Sequence, residues 1–188
     1  MEVVGAVLYL LNKIFFLLRE IAGSKGDQDA VTFWKISAWI AGLTGLPFVT
    51  YVLISERDWI FGWLELGVAP SMFVGLILAY SGSKKKVPVF VDRVVYVAIA
   101  VGLVCSLWDF GGLTETTQLL EMVAVVSFWL GSWQLAKDSP NGYLTYLPMF
   151  AAAGSLLYLQ EHYWFARQQI ASAIIVFAAY ILARNRKD

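Results

Sequence analysis

The chain has 188 residues, a mean hydropathy of +0.66, 59% hydrophobic residues and only 15% charged ones, where soluble domains carry roughly 25% charged residues. A soluble fold of this size needs a polar surface that this composition does not supply. The formal net charge of +0 offers no basic footprint for nucleic acid, and the single cysteine, Cys105, excludes a disulfide within the chain and argues against a thiolate metal centre.

Apolar runs of about 20 residues, long enough at about 1.5 Å per residue to cross a hydrocarbon core of roughly 30 Å, recur along the chain. They predict seven spanning helices over 3–22, 33–54, 58–81, 89–109, 116–136, 142–159 and 162–184. Each must be helical, because lipid offers no partner to backbone N–H and C=O groups. The first begins Met1-Glu2-Val3-Val4-Gly5-Ala6, with no basic leader and no A-x-A site, and is expected to be a retained helix. Breakers separate the runs: Gly23-Ser24-Lys25-Gly26, Ser81-Gly82-Ser83, Gly111-Gly112 and Ser139-Pro140-Asn141-Gly142.

Basic residues set the expected orientation. With seven spans, eleven of them fall on one side (Arg19, Lys25, Lys35, Lys84, Lys85, Lys86, Arg93, Lys137, Arg184, Arg186 and Lys187), and only Arg57 and Arg167 fall on the other. The positive-inside bias places the N-terminus outside and the C-terminus in the cytosol. Lys13, inside the first helix, is expected to snorkel towards the cytosol beside Arg19.

Helices 1–3 resemble helices 5–7. Glu2-Val-Val-Gly-Ala-Val matches Glu121-Met-Val-Ala-Val-Val, Thr44-Gly-Leu-Pro47 matches Thr145-Tyr-Leu-Pro148, and Glu56-Arg-Asp-Trp59 matches Glu161-His-Tyr-Trp164, at separations of 119, 101 and 105 residues. Two copies of a three-helix unit share one orientation only when an odd number of helices separates them, so the fourth helix is read as a linker. The expected fold is all-α, with seven transmembrane helices in a 3+1+3 parallel-repeat arrangement: residues 1–81 the first repeat, 82–112 the linker helix, 113–188 the second repeat.

This plan, with its paired helices 2 and 6 and its tryptophan-rich helices, resembles the SWEET-like superfamily. Within it the chain is most similar to PnuC-type vitamin transporters, which carry nicotinamide riboside, thiamine or riboflavin; the stretch from Asn141-Gly-Tyr-Leu-Thr-Tyr-Leu-Pro-Met to Ala179-Tyr180 carries most of the likeness. Pro47 is followed by Phe48 and Pro148 by Met149, so the proline–glutamine dipeptide of lysosomal relatives is absent. The resemblance implies a facilitator for a small vitamin-like or nucleoside-like solute, working without a cofactor in a bacterial inner membrane.

The candidate site residues follow from spacing and depth. Trp59 and Trp63, Trp129 and Trp133, and Gln160, Trp164 and Gln168 recur at i, i+4 and i+8, on one helical face each. The substrate-binding set is Trp63, Glu65, Trp129, Trp133, Trp164 and Gln168: indoles to stack on a planar ring, and polar groups to bond its edge. The same tryptophans also suit interfacial anchors. Glu65 and Glu121, charged and inside spans, either attract a cation or proton or reach the outer surface. Pro47 and Pro148 are candidate hinges, or static kinks. His162 is expected to be a solvated loop residue.

No metal site, no P-loop, no H-E-x-x-H and no G-x-S-x-G occurs, so no enzyme is expected. The partners expected are a small-molecule solute and the lipid bilayer, without nucleic acid; a homo-oligomer stays open. The alternative is a non-transporting membrane accessory or assembly protein that reuses the same fold.

Overall fold

The protein is described here by a computed structural model covering residues 2–82, 88–136 and 139–185. It is all-helical across those residues, with seven helices: α1 Glu2–Ser24, α2 Gln28–Ser55, α3 Trp59–Tyr80, α4 Val89–Phe110, α5 Thr116–Ala136, α6 Asn141–Leu159 and α7 Tyr163–Asn185. Local chemistry sets the boundaries. Asp27 precedes α2 and accepts the Ala30 N–H at 2.9 Å, an ordinary N-cap. Gly111, at φ +69°, ends α4 in the left-handed region that glycine enters without penalty. The Gln118 Oε1 then accepts the N–H groups of Thr114 and Glu115, while its Nε2 donates to Ser106 and to the Gly112 carbonyl. One buried amide thus turns the chain from α4 into α5, in the manner of a capping box.

Six helices form a closed ring. α1 packs on α2, α2 on α3, α3 on α5, α5 on α6, α6 on α7, and α7 returns to α1, while α4 lies outside against α3. The main core fills one end of the ring and draws on all six: Ala6, Val49, Val52, Leu53, Phe61, Leu64, Val125, Ala153, Leu156, Leu157 and Phe165 are all buried there.

The two triplets, α1–α3 and α5–α7, share one design. The turn after α2 bonds Asp58 N to Leu53 O, Arg57 N to Ile54 O and Gly62 N to Asp58 O; the turn after α6 bonds His162 N to Leu157 O, Glu161 N to Tyr158 O and Ala166 N to His162 O. Arg57 and Glu161 both adopt φ 65°. The separation is 104 residues at every bond of the pair, from Leu53 and Leu157 to Asp58 and His162. The same register relates Val49 to Ala153, Val52 to Leu156 and Phe61 to Phe165 in the core. It also relates two outward apolar grooves of about 520 Å³ each: Leu46, Pro47, Thr50, Tyr51, Ile54, Ser55 and Leu66 line one, and Phe150, Ala151, Gly154, Ser155, Tyr158, Leu159 and Ile170 line the other.

This register differs from the one read off the sequence. Pro47 is equivalent to Ala151 and Pro148 to Thr44, so the two prolines stand three residues, about 4.5 Å of helix rise, out of step. Tryptophans match less well still: Trp59 is equivalent to Tyr163, and Trp164 to Ile60. The triplets also differ in length. α2 has 28 residues and α6 has 19, so the α1–α2 hairpin projects further at the end opposite the core.

Four helices are long and apolar enough to cross a membrane: Gln28–Ser55, Trp59–Tyr80, Phe90–Phe110 and Tyr163–Arg184. The others carry polar side chains that the fold turns inward, such as Asn12 on α1 and Gln118, Glu121 and Ser127 on α5. All seven expose apolar side chains on their outer faces, for example Val7, Ile40, Phe73, Val104, Val126, Leu159 and Ile174. So much outward apolar surface is foreign to a soluble monomer and supports an integral membrane protein.

Close backbone approach holds α4 in place. A Cβ on Gly102 would stand 2.6 Å from the Trp59 carbonyl oxygen and 2.9 Å from the Ile60 Cα, and one on Gly67 would meet Ala98 at 2.5 Å. A Gly102→Val chain is therefore expected to lose about 1–3 kcal/mol of stability through overpacking. Thermal unfolding of the purified protein checks this, and an unchanged midpoint would show that α4 does not rely on this contact.

A candidate functional site at the junction of the two triplets

The first N–H groups of a helix have no partner within it, and a residue just ahead of the helix usually supplies one. At α3 the preceding Asp58 makes no such bond. Glu121, from α5 in the other triplet, does so instead: its Oε2 accepts the Phe61 N–H at 2.9 Å, with the Ile60 N–H alongside. At α7 the arrangement is reciprocal. The Glu2 Oε1, from α1, accepts the Trp164 N–H at 2.9 Å and the Phe165 N–H at 3.4 Å. Phe61 and Phe165 are equivalent, as are Glu2 and Glu121, so each triplet caps the third helix of the other. Both carboxylates sit where the helix macrodipole favours negative charge.

The two turns meet over these caps. The Gln160 Nε2 lies 2.8 and 2.9 Å from the two Asp58 carboxylate oxygens. The equivalent pair is His162 with Glu56, at 3.2 Å, and the other His162 ring nitrogen lies 3.9 Å from Glu2. His162, partly exposed in the loop before α7, thus lies between the Glu56 carboxylate of the turn after α2 and the Glu2 carboxylate of α1. Asp58 and Glu121 are each only 1% exposed. Burial, then the Glu121 charge, push the Asp58 carboxyl up from 3.8 to about 8, with the Gln160 N–H opposing the rise and Glu56 adding to it. The Glu121 Oε1 and the Gln160 Oε1 are buried without a hydrogen-bond partner. Beside this cluster, Arg57 forms a bidentate pair with Asp109, which also accepts the Trp59 indole N–H at 2.8 Å and so ties the end of α4 to the start of α3.

The residues singled out from sequence are dispersed around this junction. Trp63 turns to α4, its Cβ abutting Gly102, and its Nε1 is buried without a partner. Trp129 is 42% exposed and donates to the Tyr96 hydroxyl of α4 at 3.2 Å. Trp164 is 51% exposed, with Arg167 over its ring. Gln168 is buried, donates to Ser172 at 2.6 Å and leaves its Oε1 unpartnered. Glu65 accepts the Tyr9 hydroxyl at 2.6 Å and interacts electrostatically with Lys13, which has an inward partner in addition to any path towards Arg19. The Trp133 side chain lies outside the described residues, as do Lys84, Lys85, Lys86, Lys137, Arg186 and Lys187. The Gln160, Trp164, Gln168 row is broken, because Gln160 terminates α6 and Trp164 and Gln168 face different surroundings.

The role of Asp58, its pairing with Gln160 and the bridging role of His162 are missing from the sequence reading. The signal for them was present: Glu56-Arg57-Asp58 and Gln160-Glu161-His162 occupy one place in the two triplets, a correspondence hidden by aligning Glu56 with Glu161.

Comparison with known protein families, with curated proteins and with solved structures returned no match.

Removing an N-cap acceptor costs roughly 0.5–2 kcal/mol. Glu121→Ala is expected at or above the top of that range and Glu2→Ala near the bottom, since Glu121 is buried and the Glu2 side chain is 27% exposed. Thermal midpoints of the two variants measured side by side test the ranking; a milder effect at Glu121 would mean that the α3 cap is dispensable.

Proposed function

We propose that this chain spans the membrane seven times in a 3+1+3 arrangement, with its N-terminus outside, and moves a small water-soluble solute by rocking one three-helix unit against the other. The observation that carries this reading is the reciprocal junction. The two triplets have equivalent cores, turns and grooves, and they meet only along α1–α7 and α3–α5 among the principal helix contacts. Two like bodies related about the membrane normal and joined along two corresponding seams, the α1–α7 one the more extensive, can rock against each other about an axis in the membrane plane, opening one end while the other shuts. The core and the carboxylate caps close the end that holds the turns at 56–58 and 160–162. The basic-residue bias supports placing that end outside, and the outward apolar faces of all seven helices support seven spans. The resemblance to PnuC-type proteins supports a vitamin-like or nucleoside-like solute and a bacterial inner membrane.

Within the ring the polar groups suited to a solute are Tyr9, Lys13 and Glu65 on one side and Gln168 and Ser172 on the other. The unpartnered Gln168 Oε1 is an acceptor awaiting a donor. The contacts of Trp63 and Trp129 with α4 and the exposure of Trp164 favour the second reading, an accessory protein whose tryptophans pack against α4 and lipid.

Uptake into vesicles containing the purified protein, with a panel of vitamins, nucleosides and sugars, separates the two. Gln168→Leu is expected to weaken binding of the transported solute roughly 3- to 10-fold, the worth of about one hydrogen bond at 0.5–1.5 kcal/mol, and Trp164→Phe to leave it unchanged. A panel that yields neither uptake nor a ligand-induced change in tryptophan fluorescence would remove the transporter reading in favour of the accessory one.

A further inference from the structure

The junction between the triplets is short of hydrogen. Asp58 and Glu121 bring four carboxylate oxygens into a site where each residue is 1% exposed. The donors that reach them are the Gln160 Nε2 and the N–H groups at the start of α3. Glu121 keeps one oxygen on the Phe61 N–H, but its Oε1 is buried and unpartnered, and so is the Oε1 of Gln160. An additional O–H donor inside the cluster would satisfy one of these acceptors and remove one of two neighbouring negative charges.

We propose that Asp58 and Glu121 together form a binding site for a single proton, and that its occupancy holds this end of the ring closed. The use of that closure in solute movement rests on the transporter reading above; the proton site does not. The roles divide by environment. Glu121 has helix N–H groups and the positive end of α3 to stabilise its charge. Asp58 stands at the same helix start, but its side chain makes no cap bond and its carboxylate is met by the neutral Gln160 amide. The proton therefore comes from water onto the Asp58 carboxylate, forming one O–H bond, while the Glu121 Oε2 keeps the Phe61 N–H. The upward displacement of the Asp58 carboxyl to about 8 accords with this division.

The surrounding charges are few and identifiable. Glu121 faces Asp58 from α5, Glu56 from its own turn, and the neutral Gln160 from the α6–α7 turn. His162 faces Glu56 and, across from it, Glu2 of α1. Arg57 lies next in sequence but is held by Asp109 of α4. No cation among the described residues is placed to neutralise the second carboxylate, so loss of the proton leaves two buried like charges on opposite sides of the α3–α5 seam. In the unfolded chain Asp58 titrates at its ordinary 3.8 and in the closed ring at about 8. The proton's contribution is complete below about 4, declines as the pH rises through that window, and is gone above about 8.

The test measures shape without any solute. Cys105→Ser removes the native thiol, and Ser55→Cys with Leu159→Cys places one spin label at the end of α2 and one at the end of α6, outside the junction itself. In full-length protein in lipid nanodiscs, the label separation is expected to widen as the pH is raised from about 6 to about 9. Asp58→Asn, which carries the missing donor permanently, is expected to stay at the closed separation throughout. Glu121→Gln keeps an acceptor for α3 and is expected to behave the same way, so a folding failure in one variant leaves the other to decide. A wild-type separation that ignores pH would overturn the proposal, as would a full response in Asp58→Asn and Glu121→Gln, a response lost only in His162→Gln, or a midpoint that follows sodium concentration at constant pH. Uptake measured in parallel keeps the two ideas apart. A pH-dependent separation without uptake leaves the proton site standing and removes transport, and uptake with a pH-independent separation does the opposite.

Discussion

A helix that begins inside a protein leaves its first N–H groups without partners, and here the partner for each triplet's third helix comes from the other triplet. Glu121 serves α3 and Glu2 serves α7. In the low-dielectric surrounding of Glu121 such a bond is costly to leave unmade, so the position of α5 against α3 is tightly constrained, while the partly exposed Glu2 bond guides α1 against α7 more loosely. The ring closes because these two seams form, and the core residues that all six helices contribute lie directly beneath them. One exchange of carboxylates thus sets the relation between the halves, and nearby groups such as Asp58, Gln160, Glu56 and His162 take their places from it.

The equivalence of the halves is geometric more than chemical. Both turns have the same bond pattern and the same left-handed residue, yet one carries an aspartate against a glutamine and the other a histidine against a glutamate. The backbone design is common to both, and the side chains that meet across the junction differ. The result is one seam with two buried acids and one with a histidine between two carboxylates. α4 stands outside this scheme, held against α3 by glycines that admit its backbone and by the Arg57–Asp109–Trp59 contacts.

Much of the architecture was legible. The seven helices lie within a few residues of their predicted limits, α2 excepted at its start, because twenty-residue apolar runs separated by glycine, serine and proline leave little freedom for another arrangement. The match of Glu2 with Glu121 also corresponds to a real equivalence, since both residues perform one task. The Thr-x-Leu-Pro match does not: its two prolines differ by three residues, close to one helical turn, and a slip of nearly a turn leaves residues on almost the same face and is invisible to pattern. The tryptophan rows carry a related ambiguity. Spacing of i, i+4 states that two residues share a helical face, but not whether that face meets a cavity, a neighbouring helix or lipid. Trp63 meets α4, and Trp164 is largely exposed.

The sequence by itself determined the all-helical class, the number of helices and the outward apolar character, because those properties depend on composition and on periodicity within single segments. Only the tertiary structure decided which polar residues meet. Asp58 and Glu121 are 63 residues apart in the chain and Asp58 and Gln160 are 102 apart, and they converge because two turns and two helix starts arrive at one seam. Contacts of that kind depend on rotation and depth of whole helices against one another, which the packing of facing side chains sets and which no local pattern encodes.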